Sequence, residues 1–538
     1  MKYIRIICLL TMIFSAVGCK KMLDINTDPA SPQTAKAEFY LAPIIARMAM
    51  SAAQDYRDAQ FKFTQGIMSQ TALNEFERHG FVSADDGAMM WRFVYIDAGL
   101  NLEDMLTKAE QQGAYSLVGI GYAIKAWGYQ FLTDSHGIVI LDDAFKDQLS
   151  FAYQDQPEVY AKVREWCQLA LVNLDKTDNG NYAPILARND FLFQGDKAKW
   201  KKFIYAILAT QYSHLTNKPE FSSRYADSVV KYVDLSFAAA SEDAAISFNG
   251  NTANDANPNS VLGGYLGANT RGRIGQPIVN YLTGGVRGVP PTNPTSSIDP
   301  RLTRMINPMV TPTVPATNGV YRGVVATKGD VPTTKTIPNV YGIAVPTVAN
   351  PYPGKYLFGQ GTSTVDKPRF PLYSYSQLQF AKSEALLLKG NTAGAYAAYR
   401  NGITGHMDFV NLYGRNGTIV APVITAAEIT AYMNSSEVAQ SAGDLTIADI
   451  MGQKYIAQWG WAGQEQWSDM RKYRYDPLVF TQFKQLEASE FMATSMGKYA
   501  HRIRPRFNSE YIWNRAELEK FGALDPDYVT RELWFTTP

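Results

Sequence analysis

Cysteine is scarce, with three in 538 residues, and two of the three, Cys8 and Cys19, lie within or at the end of an N-terminal apolar run. Only Cys167 is left in the body of the chain. A single thiol excludes an intrachain disulfide framework, and its place on the apolar stripe of a helix reads as core packing, with a catalytic thiol the remote alternative. Charge is thin as well. Asp, Glu, Lys and Arg make up 19% of the chain and nearly cancel, for a net charge of +1, against about 25% in an average soluble domain. The densest basic cluster, Arg471, Lys472 and Arg474, falls at the end of a predicted helix, where cations complement the dipole. Nucleic acid is therefore not an expected partner.

Histidine is equally sparse. The five, His79, His136, His214, His406 and His501, include no pair at the i, i+4 spacing of a helical zinc site, so neither a catalytic metal nor a cofactor is expected. A phosphate-binding glycine loop and a Gly-x-Ser-x-Gly elbow are both missing. Carboxylates recur close together at Glu75 and Glu77, Asp85 and Asp86, Glu103 and Asp104, and Asp142 and Asp143. Such pairs are common on solvated faces, whereas a glycosidase sets two carboxyl groups about 5–10 Å apart across a groove. The stretch 175–186 starts like a calcium loop with Asp175, Asn179 and Gly180, but Thr177 and Leu186 stand where ligands belong. A turn between helices is the better reading.

The apolar run itself, Ile6 to Val17, follows Lys2 and Arg5 and ends at Gly18-Cys19-Lys20-Lys21. It falls short of the roughly 20 apolar residues that span a bilayer and has the n-region and h-region of a secretory signal. Ala16, Gly18 and Cys19 resemble a bacterial lipobox, with Ala16 where leucine is usual. Cleavage after residue 18 would leave Cys19 as a lipid-modified N-terminus carrying a diacylglycerol and an N-acyl chain such as palmitate. Two or more acyl chains anchor a protein durably where one does not. Ordinary cleavage near Ala16, leaving a plain thiol, is the other reading. Residues 19–36, rich in Pro, Thr, Ser and Asp, suit an extended linker.

Beyond the linker, helical periodicity dominates. Leu102, Met105, Leu106 and Ala109 repeat at i, i+3, i+4, i+7, and Leu117, Ile120, Ile124, Trp127 and Phe131 continue the pattern in a second helix. Pro157 opens a third, striped by Tyr160, Val163, Trp166, Cys167, Ala170, Leu171 and Leu174, and its partner carries Trp200, Phe203, Ile204, Ile207, Leu208 and Gln211. Further pairs run through Leu378–Leu388 and Ala395–Ile403, then 447–459 and 464–473. Paired helices with short connections suggest stacked hairpins of tetratricopeptide type. Between them, residues 241–369 are dense in Gly, Pro, Asn and Thr. Short strands at 310–314 and 340–345 are hemmed in by Pro312, Pro338 and Pro346, so the segment reads as a long irregular insertion.

Several segments in this order resemble the SusD/RagB family of outer-membrane nutrient-binding lipoproteins, in its divergent SusD-like branch. They are the lipoprotein signal, Asp190-Phe191-Leu192-Phe193-Gln194-Gly195-Asp196 leading to Trp200-Lys201-Lys202-Phe203, Asp299-Pro300-Arg301-Leu302, Tyr321-Arg322-Gly323, Ser383-Glu384-Ala385 with Gly390, and Gln453-Lys454-Tyr455 with Trp467 and Arg471. By themselves, Asp299 suits an N-cap and Pro300 a first helical residue, Gly195 and Gly390 suit turns, and Trp200 and Trp467 suit anchors between helices. The resemblance implies a mainly α fold, a single domain over residues 37–538, with about four tetratricopeptide-like hairpins over about 95–217 and 372–475 and a loop-rich ligand face over about 241–369. It implies a surface-exposed protein of the outer membrane that binds an oligosaccharide, or in some members a peptide. As a lid over a SusC-like TonB-dependent transporter, such a protein delivers the ligand and performs no covalent chemistry. A lipid-anchored helical scaffold for envelope complexes is a second reading, and a glycoside hydrolase a third.

Sugar recognition needs rings to stack on and polar side chains to bond hydroxyls. Two regions offer both. One holds Asn74, Arg78, Trp91 and Tyr95; the other holds Tyr265, Asn269, Arg271, Arg273, Tyr281 and Tyr321. Trp91 and Tyr95 are also spaced to pack inward on one helix face, and the arginines to bond loop carbonyls.

Overall fold

The computed structural model describes residues 35–250, 255–258, 272–309, 319–330, 340, 356–358, 369–414 and 421–538. Ten helices of ten residues or more stand among them: α1 (Leu41–Asp55), α2 (Gly99–Gln112), α3 (Tyr115–His136), α4 (Gln156–Asp175), α5 (Lys197–Ser213), α6 (Ala226–Leu235), α7 (Tyr375–Leu388), α8 (Thr392–Tyr413), α9 (Ile447–Gln458) and α10 (Gly463–Lys472). The fold is mainly α, as the sequence implies. The stripes read from periodicity face inward: Leu102, Met105, Leu106 and Ala109 of α2 are buried, as are Tyr160, Val163, Trp166, Cys167, Ala170 and Leu174 of α4, while Leu171 is half-buried at the stripe's edge. α3 is buried almost all round, the pattern of a helix with neighbours on several sides. Gly119 lets it approach α4 closely, since a Cβ there would lie 2.6 Å from Cγ of Leu174. Burial pushes the Cys167 thiol well above its ordinary range, which suits packing and not nucleophilic chemistry.

Caps fix where the helices begin. Asp155 accepts from Gln156 N and Pro157 sits in the first turn of α4; Asp196 accepts from Ala198 N at 2.9 Å and Lys199 N at 3.1 Å to start α5. Ahead of α5, the buried carboxylate of Asp190 gathers Leu192 N, Phe193 N, Gly195 N and Nε1 of Trp200, at 2.8–3.1 Å. One side chain thus organises the whole 190–200 motif, and Trp200 anchors it with no exposed surface. Asp299 accepts from Arg301 N at 2.9 Å in the manner of an N-cap, ahead of a single helical turn, Leu302–Met305, and its carboxylate also holds the guanidinium of buried Arg301, which reaches His406, Tyr432 and Gln453.

The two small sheets tie the irregular segment down. β2 (Ala244–Ile246) pairs antiparallel with β4 (Phe370–Tyr373), so the chain leaves the helical body and returns at one place. β1 (Ile67–Met68) pairs antiparallel with β3 (Arg273–Ile274), fastening the same segment to the stretch after α1. The short strands at 310–314 and 340–345 lie outside the described residues except for Val340, which is buried in a turn.

The basic cluster does close a helix, with Arg471 and Lys472 in the last turn of α10, and there both side chains are fully enclosed. The Lys472 ammonium lies 2.9 Å from both oxygens of Glu384 and 3.0 Å from Asp469, which also pairs with Lys454 at 2.8 Å. Arg471 donates to the carbonyls of Asp134 and His501, with its guanidinium 3.7 Å from the ring centre of Trp467. Burying these charges is offset because each has an opposite charge or several oxygens in reach.

Candidate ligand-binding face

Residues far apart in sequence build one irregular face. After β1, Gln70 accepts from Nη2 of Arg273 at 2.9 Å through its side chain and from Asp330 N at 2.7 Å through its carbonyl. Glu77, buried beneath, accepts from Ser69 N at 2.7 Å with one oxygen and Thr327 N at 3.0 Å with the other. Burial pushes the Glu77 carboxyl upward, and the Lys62 ammonium and these amides pull it part-way back. Gly323 packs directly on the backbone of Gly275, where a Cβ would meet Gly275 C and O at 2.3 Å. A third strand of chain joins from the C-terminal region: Glu490 accepts from Thr327 Oγ1 at 2.9 Å and lies 2.5 Å from Lys484 and 2.7 Å from Lys328. Desolvation of Glu490 is outweighed by those two lysines, and its carboxyl is held at about 2.

The two regions singled out in the sequence therefore meet, with Arg273 bonded across to the loop that carries Asn74 and Arg78. Individual residues mostly serve the base of the face. Asn74 accepts from Phe76 N and Glu77 N, closing a turn, and is half-buried. Arg78 donates to the carbonyls of Glu490 and Phe491, both at 3.1 Å. Arg273 is buried in β3. Tyr281 packs on Tyr455 with ring centres 5.1 Å apart, and Tyr321 is 5% exposed, so both rings point inward. Trp91 is enclosed by Tyr95, His136 and Tyr153 and has no free ring face. Tyr95 is half-buried; its hydroxyl donates to Ile140 O at 2.7 Å, and its ring lines a separate cleft. Tyr265, Asn269 and Arg271 lie outside the described residues.

What the face turns outward is Thr71, Leu73, Glu75, Arg322, Val325 and Lys328, all exposed. Arg322 and Lys328 stand beside inward Tyr321 and Thr327, and Lys328 sits in a turn in which its N–H donates to Val325 O at 3.1 Å. Donors and acceptors of this kind can bond hydroxyl-rich ligands on a base held rigid by Glu77, Gln70 and Glu490.

One group among the described residues has the makings of a metal site: Asp134, His214 and Glu465, whose ligand atoms lie within 4.8 Å of one another. It is buried in the helical body, joining α3, the end of α5 and α10. His214 Nε2 is 2.9 Å from Glu465 and Nδ1 is 3.3 Å from Asp134, whose oxygens also receive Tyr160 and Gln130 at 2.6 Å. Burial alone would lower the imidazole, but the two carboxylates reverse this and hold it at about 9. A charged imidazole between two carboxylates ties the three elements together as an internal ion-pair strut. No helix among the described residues is long and apolar enough to cross a membrane.

This mainly helical fold has solved counterparts. A SusD/RagB family protein from Bacteroides thetaiotaomicron superposes with a TM-score of 0.68 at 19% identity, covering 94% of this chain and 99% of that one. A SusD homolog from Bacteroides fragilis gives 0.67 at 16% identity over 94% and 100%, and a chitin-binding SusD homolog from Flavobacterium johnsoniae 0.62 at 15% over 93% and 98%. Residues 29–496 match the SusD-like_2 family model, whose description is starch-binding associating with outer membrane, and the chain belongs to that family. No protein of curated function matches the chain by sequence.

Proposed function

We propose that this protein is a surface lipoprotein, anchored through Cys19, that captures a glycan on its loop-built face and delivers it to a SusC-like TonB-dependent transporter, over which it acts as a lid. The observation that carries the reading is the outward set Thr71, Glu75, Arg322 and Lys328 on a base knitted from three distant segments. A face fixed before the ligand arrives loses little ordering entropy on binding. Family membership supports a glycan as the ligand class and the outer membrane as the location. The ligand is bound and passed on, with no covalent step: the two buried carboxylates beneath the face, Glu77 and Glu490, are engaged as acceptors for amides, a hydroxyl and lysines.

Calorimetric titration of the purified protein against starch, chitin oligosaccharides, other polysaccharides and peptides tests the proposal, with chitin placed early because a structural neighbour is named for binding it. Saturable glycan binding, weakened about tenfold or more by Arg322→Ala with Lys328→Ala, is expected. Hydrolysis of the glycan, or no binding to any of the panel, would overturn it. Co-purification with the transporter from detergent-solubilised outer membranes tests delivery.

A further inference from the structure

Away from the loop-built face, a cleft of about 310 Å³ opens between the start of α2, the α3–α4 connection and the C-terminal segment; its walls are Tyr95, Leu100, Ile140, Phe145 and Phe151, with Glu510 reaching in. No residue of the loop-built face lines it. Glu510 is 6% exposed. One of its oxygens, Oε2, accepts from the Tyr153 hydroxyl at 2.5 Å and from Nδ2 of Asn514 at 3.2 Å, so the side chain is fixed in place. Among the described residues nothing donates to the other, Oε1, and no cation pairs with the carboxylate. Lys146, at the cleft's edge, is taken by Asp143 at 2.9 Å, and that aspartate is held at about 2 by the Lys146 ammonium and the amide of Ala152. Asn514 also grips the opposite wall, accepting from Phe151 N at 3.0 Å and donating to Phe151 O at 2.9 Å.

A carboxylate oxygen that faces a cleft with no cation beside it is an acceptor open to a donor brought by a ligand. Here the fixed, half-satisfied carboxylate stands at the side of an apolar cleft with room for about ten water volumes. The surroundings are unusually apolar for a surface. Leu100, in the wall itself, is 62% exposed. An exposed apolar side chain lining a concave site suits binding.

We propose that this cleft binds a small amphiphile made of an apolar body and one protonated amine, the ammonium donating to Oε1 of Glu510 and the body lying between Tyr95, Phe145 and Phe151. The amine is favoured over a hydroxyl because it brings the missing positive charge as well as a donor, and charge-assisted hydrogen bonds are the stronger kind. Aromatic walls suit a ring or a branched chain. The cleft takes such a ligand whether or not the loop-built face binds a glycan.

Titration of the purified full chain with 3-phenylpropylamine and with its neutral counterpart 3-phenylpropanol, followed by calorimetry and ligand-observed NMR, tests this. The amine is expected to bind one to one, with Kd in the range of about 0.1–1 mM, and the alcohol about tenfold or more weakly. Glu510→Gln, which keeps an acceptor for Tyr153, brings the amine down to the alcohol's affinity. Ala144→Trp, which fills the cleft without touching Glu510, removes binding of both while leaving the thermal melt in place, and it carries the test alone if the Gln variant is unstable. Equal affinity for amine and alcohol, amine binding that survives Ala144→Trp, or no saturable binding would each overturn the proposal.

Discussion

Replacing Lys472 by methionine removes the positive member of a buried ion pair and leaves its partners behind. The ammonium has four oxygens in reach: both of Glu384 at 2.9 Å, Asp469 at 3.0 Å and the carbonyl of Ser213 at 3.2 Å. Burial works against its charge, yet these carboxylates raise its affinity for the proton well above that of free lysine. In Lys472→Met, Asp469 keeps Lys454 at 2.8 Å and Nε2 of Gln458 at 3.1 Å, so it survives. Glu384 is left with one donor, the Tyr473 hydroxyl at 2.8 Å, in a site with no exposed surface. Breaking a buried pair from one side costs about 3–5 kcal/mol, and a nearly bare carboxylate places Lys472→Met at about 4 kcal/mol. Glu384→Gln should cost about half as much, because Lys472 retains Asp469 and the amide oxygen can still accept. The double variant Glu384→Leu with Lys472→Met removes both charges and should recover much of the loss. Urea unfolding followed by tryptophan fluorescence reads all three. A Lys472→Met chain within about 1 kcal/mol of the parent, or a double variant less stable than it, would refute the reasoning.

Three other substitutions probe separate parts of the account. His214, with its folded value raised from 6.5 to about 9, contributes stability that is fully present below about pH 6.5 and lost as pH rises through about 9, roughly 3 kcal/mol in all; melting curves of His214→Gln should lack this alkaline fall and start lower at pH 6. A methyl group at Gly323 would collide with the Gly275 backbone at 2.3 Å, so Gly323→Ala should cost about 3 kcal/mol and expose residues 272–330 to limited proteolysis, while an unchanged cleavage pattern would count against the packing. Cys19→Ser should yield a chain without acyl mass by intact-protein mass spectrometry, released from the membrane fraction; retention there would count against the lipid anchor.

The helical body was legible because its signal is local. The stripe Tyr160, Val163, Cys167, Ala170 and Leu174 needs only one helix to be recognised, and Asp155-Gln156-Pro157 and Asp196 announce where helices start. Two helices outside the ranges read from periodicity carry the same kind of signal: Leu41, Ile44, Ile45, Met48 and Ala52 line α1, and Ala226, Val229 and Val233 line α6. Charge was harder to read. Lys472 looks like a helix-end cation until Glu384, 88 residues earlier, is brought against it. The face was harder still, since Arg273 and Gln70 are 203 residues apart and no periodicity links them. Trp91 and Tyr321 show the same limit: an aromatic ring in a loop-rich stretch fits a binding surface and a core equally well, and only the surrounding rings decide.

The most direct measurement is hydrogen exchange of the protein with and without a glycan that it binds. Slower exchange at 67–80, 321–330 and 484–492, with α5 and α6 unchanged, is the result the account predicts. Protection confined to α5 and α6, with the loop-built face exchanging as before, would contradict it.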